Sequence, residues 1–121
     1  MLIEETIFGG GCGDYGGVEL VCNTSRMVLY TSYSGALLHA LASSIPPASW
    51  PVFLVAWNAA KDIDCDLSSH ELSVLLEGLS EVHASGIAHS VPDDFQAAVT
   101  SLESFLRQSL AHDCPIHITD F

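Results

Sequence analysis

Two segments in the second half of the chain carry apolar residues at the 3.6-residue period of an α-helix. The first opens with Ser68 and Glu71, whose spacing is that of a capping box at a helix N-terminus. The second follows Pro92-Asp93-Asp94, which places negative charge at the positive end of a helix dipole. The apolar positions are Leu72, Leu75, Leu76, Leu79 and Val82, then Phe95, Ala98, Val99, Leu102, Leu106 and Leu110. Two amphipathic helices of this kind must pack their apolar faces on another layer of structure.

The pattern of the N-terminal third of the chain predicts strands. Residues Leu2 to Phe8, Val18 to Cys22 and Met27 to Tyr33 are rich in β-branched and aromatic side chains. Turn chemistry at residues 23–25 separates the second run from the third. We therefore expect an antiparallel meander of three strands.

The middle and the end of the chain add further elements. Ser34 is expected to cap a short helix over Gly35 to Ser44, which the prolines after it would stop. The apolar run Val52 to Trp57 predicts a central strand buried on both faces. A closing strand is predicted where Ile116 and Ile118 alternate with polar residues. The expected fold is α+β, an α/β sandwich over residues 1–121 as a single domain, with a mixed, mainly antiparallel sheet and three helices packed on it.

The charge of the chain is almost entirely negative. Three residues are basic and fifteen are acidic, so the formal net charge is −12. Such a charge repels nucleic acid and anionic membranes and attracts basic partners. A basic protein is therefore the expected partner, and neither nucleic acid nor a membrane is.

Cysteine usage and the N-terminus predict the compartment. The four cysteines include no CxxC pair, which favours reduced thiols in a cytoplasmic protein. A bridge between Cys12 and Cys22 is the alternative, and it would need an oxidising compartment. The first residues carry acids where a signal peptide would be basic and then apolar, so we expect a cytoplasmic location.

The segment Gly11 to Gly16 spells GxGxxG, the pattern of some phosphate-binding loops. The dinucleotide-binding version needs a helix after the loop, and the residues after Gly17 are strand-like. Protein kinases need further motifs that are absent from this sequence. We expect a flexible hairpin loop over Gly9 to Gly17, in which Asp14 and Tyr15 are candidates for partner contact.

Two segments contain residues that can bind metals. The alternating Asp62, Asp64 and Asp66 resemble the start of an EF-hand, but Leu67 and Ser73 occupy the positions of its glycine and glutamate. An acidic loop is expected there, with weak Ca²⁺ binding as an alternative. The segment His112 to His117 offers possible Zn²⁺ ligands, but only distant residues such as His83 and His89 could complete a second pair. We predict no metal, no cofactor and no catalytic residue.

Four segments resemble, in order and character, those of one known family. They are Tyr33 to Gly35 leading into Leu37 to Leu41, Val52 to Trp57, Leu102 to Arg107, and Cys114 to Ile118. Together they resemble barstar and its relatives, small acidic cytoplasmic proteins that inhibit secreted bacterial ribonucleases. In that family the inhibitory helix carries carboxylates, whereas Gly35 to Ser44 contains none and the N-terminal meander is additional. The resemblance implies an inhibitor of a basic bacterial toxin, without the family's inhibitory residues.

These observations lead to one functional hypothesis and two alternatives. We expect a non-enzymatic, antitoxin-type immunity protein that binds a basic toxin domain, as a monomer or a homodimer, and occludes its active site. The predicted contact patch is Asp62, Asp64, Asp66, Glu71, Glu77 and Glu81, with Asp14 and Tyr15 as the second choice. The alternatives are a general interaction or chaperone-like module for a basic protein, and a small Cys/His metal-binding protein or enzyme.

Overall fold

The computed structural model describes residues 4–23, 25–85 and 92–121, which form five strands and four α-helices. Predictions at residues 1–3, at Thr24 and at His89 lie outside the described residues. In chain order the elements are β1 (Glu4–Phe8), β2 (Gly17–Cys22), β3 (Ser25–Tyr30), α1 (Thr31–Ser44), a 3₁₀ turn (Pro47–Ser49), α2 (Val52–Asn58), β4 (Asp64–Leu67), α3 (Ser69–Ser85), α4 (Phe95–Ala111) and β5 (Ile116–Asp120).

All five strands belong to one sheet with the order β1-β3-β2-β5-β4. The pairing of β1 with β3 is parallel, and the other three pairings are antiparallel. The predicted α+β class and the mixed, mainly antiparallel sheet are confirmed. The meander is wrong at its first strand, because β1 pairs with β3 and not with β2. Residues 9–16 thus cross the end of β3 and do not form a hairpin, and eight residues easily span two strand spacings of about 4.8 Å each.

The predicted central strand at Val52 to Trp57 is wrong, because these residues form α2. Phe53 and Leu54 are buried, whereas Val52 and Val55 are 63% and 51% exposed. An apolar run of this length suits a short helix as well as a buried strand, and periodicity alone does not separate the two. The number of helices is therefore four in the described residues, not three.

The acidic segment after α2 also differs from its prediction. Where a loop was expected, Asp64 to Leu67 pair with β5 as an edge strand. The side chains alternate: Asp64 and Asp66 are exposed, Cys65 is half-buried and Leu67 is buried. Because successive side chains of a strand point to opposite faces, both carboxylates lie on one side of the sheet.

The helices and one face of the sheet enclose the core. The apolar stripes predicted for α3 and α4 are confirmed, and they pack with α1 and with alternate residues of the strands. Gly78 of α3 is needed where α3 approaches α1, since a Cβ there would lie 2.9 Å from Ile45. The capping box is also confirmed, with Ser68 Oγ accepting from Glu71 N (3.1 Å) and Glu71 Oε1 accepting from Ser68 N (3.0 Å).

The start of α1 corrects another prediction. The helix begins at Thr31 and not after Ser34, and Ser34 is buried inside it without acting as a cap. The third strand accordingly ends at Tyr30. The β-branched and aromatic residues before Ser34 favour a strand locally, so packing against the rest of the chain decides this boundary.

Cys22 and Cys114 form a disulfide, with their Cα atoms 6.2 Å apart. This corrects the expectation of four reduced thiols, and it also differs from the Cys12–Cys22 alternative. Cys12 and Cys65 are the free cysteines. The bond joins the end of β2 to the turn between α4 and β5, two places that are distant in the sequence.

Among the described helices, none combines the length and the apolar character needed to cross a membrane.

Candidate partner-binding surface

The sheet has a second face, opposite the helices, that we call the open face. Along each strand, the residues on this side alternate with residues whose side chains enter the core. Strand register aligns them in two rows across all five strands. The rows are Glu5–Arg26–Val21–His117–Asp66 and Ile7–Val28–Glu19–Thr119–Asp64.

On one half of the open face, a single cation lies between two carboxylates. Arg26 Nη2 is 2.6 Å from Glu19 Oε2, and Arg26 Nη1 is 3.4 Å from Glu5 Oε1. Arg26 Nε donates a second hydrogen bond to Glu19 Oε2 at 2.7 Å. The hydrogen bond and the charge of Glu19, together with Glu5, raise the pKa of Arg26.

The other half repeats this arrangement with a histidine. His117 Nδ1 is 2.6 Å from Asp66 Oδ1, and His117 Nε2 is 2.7 Å from Asp64 Oδ1. Two carboxylates on the two ring nitrogens favour the doubly protonated ring, which alone can donate to both. The hydrogen bonds from the ring to Asp66 and Asp64 accordingly raise the pKa of His117.

The charge of the open face is therefore negative even though each cation is paired. Four carboxylates share one guanidinium and one imidazole. The two aspartates are also the most accessible members, with side chains 73% and 75% exposed for Asp64 and Asp66. A cationic group of another molecule could approach these carboxylates from solvent.

One end of the open face is apolar. Tyr30 and Phe121 lie on either side of Gly17, and their rings meet edge to face with centroids 5.3 Å apart. Ile7 and Phe121 remain 51% and 56% exposed. Tyr15 is exposed in the loop at this end of the sheet, where Gly16 approaches Phe121. Exposed apolar groups beside charges are a common composition of protein-binding surfaces.

The six residues of the predicted patch do not form one surface. Asp64 and Asp66 lie on the open face, and Asp62 is exposed just before β4. Glu77 and Glu81 lie on α3, turned away from the apolar stripe that packs in the core, so they belong to the helix layer on the opposite side.

Glu71, the sixth residue, is used within the fold. Its carboxylate accepts hydrogen bonds from the backbone amides of Ser68 and Val52, each at 3.0 Å. Burial acts to raise the pKa of Glu71, but hydrogen bonds from Ser68 and Val52 outweigh it and lower the pKa overall. Glu71 thus joins the start of α2 to the start of α3.

Asp14 is likewise engaged inside the molecule. Its carboxylate accepts from the backbone amides of Gly10 and Ser32, each at 3.0 Å, and from the Ser32 hydroxyl. It therefore occupies the N-terminus of α1, the place that an anion would otherwise take. The glycine-rich loop is followed by β2, as predicted, and the Gly10 amide within it donates to Asp14. Tyr15 keeps its side chain exposed.

Sequence reasoning missed Glu5, Glu19, Arg26 and His117 as members of a common surface. A signal was present, since polar Glu19 and His117 alternate with core residues in β2 and β5. Alternation shows that a strand has a polar face, but it does not show which strands are neighbours. The misplaced central strand at Val52 to Trp57 concealed the order.

Several of the residues considered for metal binding are engaged elsewhere in the fold. Cys114 is in the disulfide, and His83 pairs with buried Glu103. Burial, followed by the charges of Glu71 and Asp66, raises the pKa of the Cys65 thiol, which disfavours the reactive thiolate. Within residues 4–23, 25–85 and 92–121, no group of three or more His, Cys, Asp or Glu is arranged to hold a metal ion.

Comparisons with known proteins add nothing to these geometric observations. No protein-family model, no curated protein and no solved structure matches this chain. The resemblance to barstar-like inhibitors stays a prediction, and one segment on which it depends, Val52 to Trp57, is a helix here.

Proposed function

We propose that this protein is a non-enzymatic, immunity-type binding protein whose partner is a basic protein domain, such as a cognate toxin. By covering the active site of that domain, it would neutralise the toxin. The toxin part of the proposal comes from the resemblance to ribonuclease inhibitors. The basic character of the partner comes from the charge of this chain.

The observation that carries the proposal is a net charge of −12 together with accessible carboxylates that outnumber the cations beside them. Charge of one sign disfavours the compact state through self-repulsion. A basic partner would relieve this repulsion, and opposite charges would accelerate its association and set its orientation.

The proposal includes the cytoplasmic location expected from the sequence. The Cys22–Cys114 disulfide is an observation against that location, since disulfides persist mainly in oxidising compartments. Thiol alkylation in intact source cells, before lysis, tests this part separately. If Cys22 and Cys114 are alkylated there, the pair is reduced in the cell and the cytoplasmic location stands.

The function itself is tested by affinity capture from a lysate of the source cells. The tagged chain and an unrelated acidic protein of similar pI serve as baits, each washed at low and then at high salt. We expect one dominant basic protein, retained at 1:1 stoichiometry by this chain only. The captured protein should be toxic when expressed alone, and co-expression of this chain should restore growth.

Two results contradict the proposal. If both baits release the same abundant basic proteins at modest salt, the charge acts only in nonspecific attraction. If a specific partner is captured but is not toxic, the immunity role is wrong and the general interaction module takes its place.

A further inference from the structure

We propose that the open face of the sheet is the docking surface for the basic partner, with its carboxylates receiving the partner's arginine or lysine side chains. This inference rests on the proposed function and deepens it by naming the surface. It moves the contact from the sequence-predicted patch, which includes α3, to the side of the sheet that the described helices leave uncovered.

The first argument is the one-sided construction of the molecule. The core residues of the sheet alternate with those of the open face and pack with α1, α3 and α4. On the open face, Val28 alone is fully buried, and within its row it lies between Ile7 and Glu19. The rest of that face is exposed or half-buried, so a partner could cover it without any rearrangement of the helices.

The second argument is charge complementarity. Four carboxylates, Glu5, Glu19, Asp64 and Asp66, surround two cations on this face. Each carboxylate has two oxygens and can accept several hydrogen bonds, so pairing with Arg26 or His117 leaves acceptor capacity unused. Guanidinium groups of a partner match that remaining capacity, because their forked donors fit carboxylates.

The third argument is the apolar end of the face. Exposed Ile7 and Phe121, with half-buried Tyr30 in contact with Phe121, offer a place for aliphatic or aromatic side chains. Affinity in protein interfaces comes largely from a few such contacts, whereas rim charges mainly affect the rate and the orientation of association. The apolar end of the open face would thus contribute affinity, and its charged groups would contribute the rate and the orientation of association.

A second copy of the chain is a poorer occupant. Joining two open faces would place four carboxylates and two cations against the same set, so one net negative surface would meet another. Such juxtaposition is unfavourable across an interface. A basic protein removes this conflict, and we assign the face to it.

The docking surface is tested with a defined probe, an eight-residue peptide of alternating arginine and tyrosine. The ¹⁵N-labelled full chain is titrated with this peptide at pH 7 and low salt, and backbone amide shifts are mapped. We expect the largest shifts in β2, β4 and β5 and at Phe121. If the largest shifts fall on α3 and α4, or if the peptide does not bind at low salt, the proposal is contradicted.

Two double variants separate this face from the general acidity of the chain. The first combines Asp64→Asn with Asp66→Asn, and the second combines Glu77→Gln with Glu81→Gln, so each removes two carboxylates. We expect the first pair to weaken peptide binding by about tenfold, since close charge pairs are worth that order of magnitude, and the second pair to change it less than about twofold. Equal weakening by both pairs would overturn the assignment.

A third variant tests the apolar end without any change in charge. Ile7→Thr keeps a β-branched residue in β1. It should weaken the binding of the peptide while leaving the salt dependence of that binding unchanged. An unchanged affinity would contradict the role of this end. Shifts of open-face amides on dilution of the chain alone would instead assign the face to a homodimer.

Failure of the surface and failure of the function are distinguishable. A captured toxin that binds the Asp64/Asp66 variant as well as the unaltered chain would keep the proposed function and reject this surface. A peptide that maps to the open face, with no toxin captured, would keep the surface as a binding site for basic segments and reject the immunity role.

Discussion

The carboxylate of Asp14, in the loop that crosses the sheet, accepts hydrogen bonds from both the backbone amide and the hydroxyl of Ser32, in the first turn of α1. The same carboxylate accepts from Gly10 within the loop. Helix N-termini leave amides without an intrahelical partner, and an acidic side chain there also interacts favourably with the helix dipole. Asp14 therefore stabilises the helix and the loop together.

Replacing Asp14 with alanine should lower the Tm by a few degrees, because the first turn of α1 loses its capping group. The side-chain and backbone hydrogen bonds from Ser32 and Gly10 hold the pKa of Asp14 below its ordinary value of 3.8. The contribution is thus present above that value and is lost as pH falls through the folded-state pKa. Thermal denaturation should show the Tm difference shrinking in acid. Glu77→Ala, which removes the same charge from an exposed position, should not reproduce it.

Replacing Glu71 with alanine should reduce the free energy of unfolding by about 1–2 kcal/mol, since the amides of Ser68 and Val52 both lose their acceptor. Urea denaturation measures this change. Glu71→Gln should recover part of it, because the amide oxygen can still accept one of the two bonds. If Glu71→Ala is as stable as Glu77→Ala, the connection between α2 and α3 contributes nothing.

Native protein should contain two free thiols, on Cys12 and Cys65, and four after reduction. The bond closes a sequence separation of 92 residues, for which the chain-entropy model gives a stabilisation of about 4–5 kcal/mol. Cys22→Ser should therefore lower stability strongly under oxidising conditions, whereas Cys12→Ser should not. Alkylation with mass spectrometry counts the thiols, and four thiols in air-oxidised protein would disprove the bond.

His117 should titrate above its ordinary pKa of 6.5, because Asp66 and Asp64 accept from its ring. A raised folded-state pKa gives stability that is fully present below 6.5 and lost as pH rises through the folded value. We expect His117→Gln to remove this part of the pH dependence while keeping a polar side chain. NMR titration of the ring protons gives the pKa directly. A His117 pKa at or below 6.5 would show that the two carboxylates do not hold the ring.

Replacing His83 with alanine should cost about 1–3 kcal/mol, because it leaves the buried carboxylate of Glu103 with a weaker set of partners. Arg107, the other partner, is 62% exposed and 3.4 Å away, so Arg107→Ala should cost less. Chemical denaturation compares the two variants. A larger loss for Arg107→Ala would reverse this ranking of the partners.

The predictions that succeeded depend on local patterns. The helical stripes of α3 and α4 and the alternation of β5 each show a period, and the capping box sets where α3 begins. The strand prediction for Val52 to Trp57 failed because a continuous apolar run shows no period. The sequence of β4 predicts a loop because aspartates are poor strand formers, and pairing with β5 overrides that preference.

The candidate site was less predictable than the fold, since most of its members are distant in sequence. The acidity of the chain, and hence the charge of its expected partner, follows from composition alone. Which carboxylates act together does not, because Glu5, Glu19 and Asp66 meet only through strand order and register. Asp14 and Glu71 were expected on a contact surface, and tertiary hydrogen bonds engage them within the fold. Periods and caps are properties of neighbouring residues, whereas the open face and the Cys22–Cys114 bond arise only when distant segments pack.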